Sequence, residues 1–168
     1  MPDLERLLRA AARVRKNAWA PYSNFKVGAA VLAGGRVYAG CNFENSSYPL
    51  SVCAERNAAA AAVAAGHKRI EAVAVVGGAE RPSAPCGGCR QVLSELASGE
   101  TPVVYASPGG AREETTLGAL LPASFGARDL GLTEAAAEST GSSPGPSGRR
   151  RSAPRRRGTR TSGQSRSP

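Results

Sequence analysis

No apolar run in this 168-residue chain is long enough to cross a bilayer, which excludes a membrane-spanning helix. The first fifteen residues are interrupted by charges every few positions and do not read as a signal peptide. Cysteine is scarce at four residues, which without a secretory context argues for metal or core roles in a reducing interior rather than disulfides. A soluble cytoplasmic protein is therefore expected. Aromatic residues make up only 5% of the chain, and none lies beyond residue 132. From Thr133 onward glycine, serine, proline and arginine dominate, a composition that cannot build a core.

What is present divides at about that point. The formal charge of +9 suggests a nucleic-acid binder, but residues 132–168 carry eight arginines against two glutamates, leaving a net +3 for residues 1–131. One ordinary domain over 1–131 and a disordered tail over 132–168 are expected. Arg149 to Arg151 and Arg155 to Arg157 have no aromatics beside them for base stacking. They would make weak, salt-sensitive contact with a polyanion, and specific nucleic-acid binding is not expected.

Within the domain, Leu4, Leu7, Leu8, Ala11 and Ala18 recur at helical spacing with Arg6, Arg9, Arg13 and Lys16 between them, an amphipathic helix that Pro21 is expected to close. Strands are expected over 27–33 and 36–43, joined by a tight turn at Gly34-Gly35. An alanine-rich helix over 58–65, a buried strand over 70–76, a helix over 91–97 and a strand over 102–106 follow. Together they predict a mixed sheet covered by helices. His67, after Gly66 at the end of the alanine-rich helix, reads as a solvated cap residue.

Two short stretches carry the chemistry. Val52-Cys53-Ala54-Glu55-Arg56 and Pro85-Cys86-Gly87-Gly88-Cys89 supply three thiols and a carboxylate. Zinc favours such sulfur ligands, and a catalytic site supplies three of them so that water takes the fourth place. Each stretch opens a helix, whose free N–H groups and dipole stabilise a thiolate. Gly87-Gly88 would let the chain bend tightly between Cys86 and Cys89. Glu55, two residues from Cys53, need not be a ligand and can face the water as the proton carrier. Cys41 lies on the opposite strand face from Asn42 and Glu44, and reads as a small buried residue rather than a fourth ligand. A structural zinc module would need that fourth ligand, and a Cys86/Cys89 redox dithiol would leave Cys53 without a task.

The chain resembles the zinc-dependent cytidine deaminases of the small, homotetrameric, three-cysteine class. The likeness runs from Ala20-Pro21-Tyr22-Ser23-Asn24-Phe25-Lys26-Val27-Gly28-Ala29-Ala30 through Gly40-Cys41-Asn42-Phe43-Glu44-Asn45 and Tyr48-Pro49-Leu50 to Pro85-Cys86-Gly87-Gly88-Cys89-Arg90-Gln91 and Leu120-Leu121-Pro122-Ala123-Ser124-Phe125-Gly126. Where many deaminases have His-x-Glu, this chain has Cys53-Ala54-Glu55. The resemblance implies an α/β fold, a three-layer α/β/α sandwich with a mixed sheet of about five strands. It implies one Zn²⁺ per subunit on Cys53, Cys86 and Cys89, and deamination of cytidine and 2′-deoxycytidine in pyrimidine salvage.

Further roles follow from the same likeness. Glu55 shuttles protons, Asn42 and Glu44 hold ribose hydroxyls, and Phe25 stands beside the nucleoside. The Ala54 N–H meets the base carbonyl, and the Ala84 carbonyl lies near the leaving ammonia. Tyr48 and Phe125 shape the pocket from neighbouring subunits of a homotetramer. Three thiolates and Zn²⁺ sum to minus one, an excess that Arg56 can offset by hydrogen bonding a ligand sulfur. Deamination of a cytosine-containing antibiotic nucleoside is the nearest rival, disfavoured by Asn42-Phe43-Glu44 with Tyr48 and Phe25.

Overall fold

A computed structural model of the chain describes residues 2–132 except Ala79; the arginine-rich stretch expected as a disordered tail lies outside the described residues. The first helix, α1, spans Leu4–Arg15, with the Asp3 carboxylate accepting from the Arg6 N–H at 2.9 Å as its N-cap. It ends well before Pro21. The chain instead unwinds in tight turns through Ala18, and Trp19 pairs with the strip around Phe43: its N–H donates to the Asn42 carbonyl at 3.1 Å, and its own carbonyl accepts from Glu44 at 2.8 Å. Those bonds, rather than the proline, terminate the helix.

Strands β1 (Gly28–Ala33) and β2 (Arg36–Cys41) form the expected hairpin. Gly34 and Gly35 have φ of 56° and 71°, the left-handed pair that a two-residue turn of this hand requires. β2 is shorter than expected. Beyond Cys41 the ladder to β1 is exhausted at Gly28, and Phe43 makes isolated bridges to Trp19 and Val52 instead.

Helix α2 (Ala54–Ala64) and strand β3 (Ala72–Val76) come next, followed by helix α3 (Gly87–Ser94) and strand β4 (Pro102–Ala106). Strand β5 (Arg112–Thr116) and the short helix α4 (Leu117–Leu120) complete the domain. The sheet order is β2-β1-β3-β4-β5, with β3 and β4 parallel and every other neighbouring pair antiparallel. β5, with sequence Arg-Glu-Glu-Thr-Thr, has no hydrophobic alternation and was invisible to periodicity. It is a charged edge strand, a composition that discourages pairing with another chain.

Alternation along the central strands produces the three layers. Val31, Val73, Val75, Val103 and Tyr105 face Ala54, Ala58, Ala59 and Ala62 of α2 and Leu93 of α3. Ala30, Ala74, Val104 and Ala106 face Leu7 and Ala11 of α1. Small side chains bring helix and sheet backbones close together. A Cβ added at Gly28 would lie 2.1 Å from the Ala11 carbonyl oxygen, and one at Gly40 would lie 2.5 Å from the Ala58 nitrogen and 2.8 Å from the Ala54 oxygen. His67 is not a free cap residue. Its N–H closes the end of α2 on the Ala62 carbonyl at 3.0 Å beside Gly66 (φ 90°), and its ring packs 5.5 Å from that of Tyr38.

Gly40 thus fixes the height of the first turns of α2 above the sheet. Gly40→Ala is expected to cost about 1–3 kcal/mol, the usual range for overpacking between rigid backbones. Denaturant unfolding checks this, and a variant as stable as the parent would refute the close-packing account.

Candidate active site

Cys53 and Cys86 are the N-caps of α2 and α3, both in extended backbone, and Cys89 lies in the first turn of α3. The helix begins at Gly87, so Gly87 and Gly88 form its first turn rather than a bend ahead of it. Two helix starts therefore converge, each offering N–H groups and positive dipole to sulfur. The three Sγ atoms lie within 4.8 Å of one another, with Cys53 and Cys86 4.0 Å apart. A tetrahedral zinc with bonds of about 2.3 Å holds its sulfurs about 3.8 Å apart, so the trio needs only a small contraction to fit. Cys41, half-buried at the end of β2, is not in this group.

The electrostatics suit a cation. Hydrogen bonding from the Cys89 thiol, then from Cys86, together with the charge of Arg56, outweighs burial and brings Cys53 down to about 6. Cys89, holding the shared proton against Cys53 in a buried position, is pushed strongly up. Arg56 is exposed and acts on Cys53 through its charge; among the described residues no hydrogen bond joins its side chain to a sulfur.

Glu55 is the buried carboxyl of the site, 5% exposed. Burial lifts it above the ordinary carboxylate range and the charge of Cys53 adds to this, opposed by hydrogen bonds from its own backbone N–H and from Cys89. It borders a cavity of about 210 Å³ whose other walls include Cys53, Cys86, Ala54 and Ala84. Phe25, Asn42 and Glu44 line the same cavity from the loop after α1 and the strip after β2. A groove of about 410 Å³ between α1 and β2 is larger, but its Arg6, Arg13 and Asn17 come with no titratable cluster, and it has none of this chemistry.

Asn42 and Glu44 are both tied to the loop after α1. Asn42 Oδ1 accepts from the Val27 N–H at 2.8 Å while its Nδ2 donates to the Phe25 carbonyl at 2.9 Å. Glu44 Oε2 accepts from the N–H groups of Tyr22 at 2.8 Å and Ser23 at 3.2 Å, and its Oε1 from the Ser23 hydroxyl. These bonds hold Glu44 below its ordinary value, the Ser23 hydroxyl contributing most. Tyr48 and Phe125 stand outside the chain's own cavity, 69% and 59% exposed, with Tyr48 edge-on to Tyr22 at 5.8 Å.

Two supporting residues escaped the sequence reading. Arg90 Nε donates to the Pro85 carbonyl at 2.7 Å and its Nη1 to Leu120 at 2.9 Å, tying the segment before Cys86 to α4. Ser23 is the other. Arginine beside Cys89 and serine ahead of Phe25 were visible in the motifs, but the partners that give them their work, Leu120 and Glu44, are remote in sequence.

Residues 1–106 match the zinc-binding region of cytidine and deoxycytidylate deaminases. A cytidine deaminase of Sporosarcina psychrophila is 46% identical over 129 residues, covering 76% of this chain and 95% of that protein. One of Mycobacterium tuberculosis is 44% identical over 133 residues, covering 77% and 96%. The crystal structure of cytidine deaminase from Burkholderia pseudomallei superposes with a TM-score of 0.70 at 48% identity, over 74% of this chain and all of that one.

The sulfur trio is expected to retain one zinc per chain. Cys89→Ser should drop the metal content to near background, whereas Glu55→Gln should leave it unchanged. Plasma emission spectrometry on purified protein reads both, and full zinc in Cys89→Ser would sink the assignment.

Proposed function

The chain belongs to the zinc-binding cytidine and deoxycytidylate deaminases, and on that footing we propose that it hydrolyses cytidine and 2′-deoxycytidine to uridine and 2′-deoxyuridine, releasing ammonia. The observation that carries this reading is the buried Glu55 carboxyl on a cavity walled by Cys53 and Cys86. Cys53, Cys86 and Cys89 would hold the zinc, which would supply an acidified water as the nucleophile.

The chain's own groups do the rest. Glu55 takes a proton from the attacking water as its oxygen adds to C4 of the pyrimidine. The same carboxyl returns that proton to N3, then takes the remaining hydrogen of the hydroxyl now on C4 and delivers it to the amino group as the C4–N bond breaks and the C4 carbonyl forms, which requires a single group within reach of all three. Its position suits this double duty: burial brings its pKa closer to neutral pH, where a group accepts and donates with similar ease. The N–H of Ala54, in the first turn of α2, holds the base carbonyl, and the carbonyl of Ala84 receives the leaving ammonia. Asn42 and Glu44 take the sugar hydroxyls, with Phe25 against the nucleoside. Arg56 offsets the negative charge of three thiolates around one divalent ion.

The cavity is incomplete in one chain. Phe25, Tyr48 and Phe125 expose 47%, 69% and 59% of their surfaces, and Trp19, Leu50 and Leu130 are likewise uncovered. A homotetramer in which Tyr48 and Phe125 close neighbouring sites would bury them and exclude water from the reaction. We assign catalysis to residues 1–131, and place the protein in the cytoplasm.

Absorbance loss as cytidine becomes uridine tests the activity. Glu55→Ala is expected to lower turnover about a thousandfold or more with zinc retained, the scale of a lost acid–base group. No turnover by the intact chain on either nucleoside would refute the reading. Light scattering should give a tetramer mass; a fully active monomer would overturn the shared-site arrangement.

A further inference from the structure

The loop from Ala20 to Val27 forms one wall of the cavity and has no regular structure of its own; from α1, Arg15 Nε donates to its Lys26 carbonyl at 2.8 Å. Its conformation is demanding: Asn24 adopts φ 58°, and its N–H reaches back to the Ala20 carbonyl at 3.0 Å. Two side chains from the strip after β2 clamp it at its ends. Asn42 holds the far end at Phe25 and Val27, and Glu44 holds the near end at Tyr22 and Ser23.

Ser23 differs from the other contacts because its hydroxyl serves both directions. A carboxylate can only accept, so the hydroxyl hydrogen goes to Glu44 Oε1, and Oγ in turn accepts from the Phe25 N–H at 3.0 Å. The rotor is thereby locked. The two amide donors grip Oε2 alone, and a carboxylate held at one oxygen can still turn about its terminal bond. The Ser23 hydroxyl fixes the second oxygen. A carboxylate has roughly four acceptor positions, of which the loop uses three, which leaves about one. Ser23, Phe25 and Glu44 all border the cavity, so the carboxylate that offers this position stands in the cavity wall.

We propose that Ser23 is a positioning residue for nucleoside recognition, its hydroxyl setting the plane of the Glu44 carboxylate so that the free acceptor position meets a sugar hydroxyl. This rests on the nucleoside reading above. Orientation fixed before binding spares the complex the cost of ordering the group afterwards. Ser23 is exposed, and the bonds of Asn42 and of Glu44 Oε2 do not depend on its hydroxyl, so its removal should leave fold and metal centre in place.

The test compares cytidine with 2′,3′-dideoxycytidine, which offers Glu44 neither ring hydroxyl. In Ser23→Ala the KM for cytidine should rise about tenfold with kcat within about twofold, the scale of one weakened bond to a charged acceptor. kcat/KM for the dideoxynucleoside should stay within about twofold of the parent, and Ser23→Thr, which keeps the hydroxyl, should recover most of the loss. Equal losses on both nucleosides, or no loss on cytidine, would overturn the assignment. If Ser23→Ala melts early or loses zinc, Ser23→Gly must show the same split between substrates or the proposal fails. A parent chain inactive on both nucleosides refutes the deaminase reading itself, whereas an active parent without the split refutes only the role of Ser23.

Discussion

Everything at the site depends on two helix starts meeting above one face of the sheet. α2 and α3 lie on the same side, and their N-caps are Cys53 and Cys86. Neither thiol makes a capping hydrogen bond to its own helix; each is carried to the other by the packing of the helix it opens. The packing is close because α2 presents Ala54 and Ala58 to Gly40, so its backbone rests nearly on the strand backbone. Larger residues along that contact would lift the helix and spread the sulfurs beyond the separation one ion can bridge.

The same arrangement resolves an electrostatic conflict. Three sulfurs and the Glu55 carboxyl share a small volume, and bringing anions together out of water is unfavourable. The shifts show the strain: Glu55 is raised by burial and by Cys53, while Cys89 retains its proton against Cys53. Two helix N-termini and the charge of Arg56 ease the conflict, and a divalent cation held by the three sulfurs would ease it further. A carboxyl whose proton affinity is raised by such surroundings is suited to pass protons between water and a base.

The sequence showed most clearly those features whose signal is local. The glycine hairpin between β1 and β2, the alternating core strands and the helix-opening cysteines each depend on neighbours a few residues away. What it obscured depends on distant partners. β5 has no apolar face, and exists because Val103 to Ala106 offer it a ladder, with Tyr105 donating to Glu113 at 2.7 Å and Arg112 paired with Glu5 of α1. The end of α1 is set by Trp19 pairing with residues near Phe43, not by the proline that looked like its terminator. Arg90 and Ser23 lay inside legible motifs, yet their work is to hold the segment beside Leu120 and the carboxylate of Glu44, partners that only the folded chain supplies.

Asn42 and Glu44 show why a binding motif is hard to read as one residue per task. Each anchors the loop with part of its hydrogen-bonding capacity and also borders the cavity. An amide has both donors and acceptors, and a carboxylate has more acceptor positions than one contact can use, so both types can be shared in this way. A substitution at either position therefore removes a wall of the cavity together with the group that would touch a ligand. Loss of binding there cannot by itself separate the two roles. That separation needs a neighbour such as Ser23, whose hydroxyl touches the carboxylate and the Phe25 N–H alone, while Asn42, the Tyr22 and Ser23 amides and Arg15 still hold the wall.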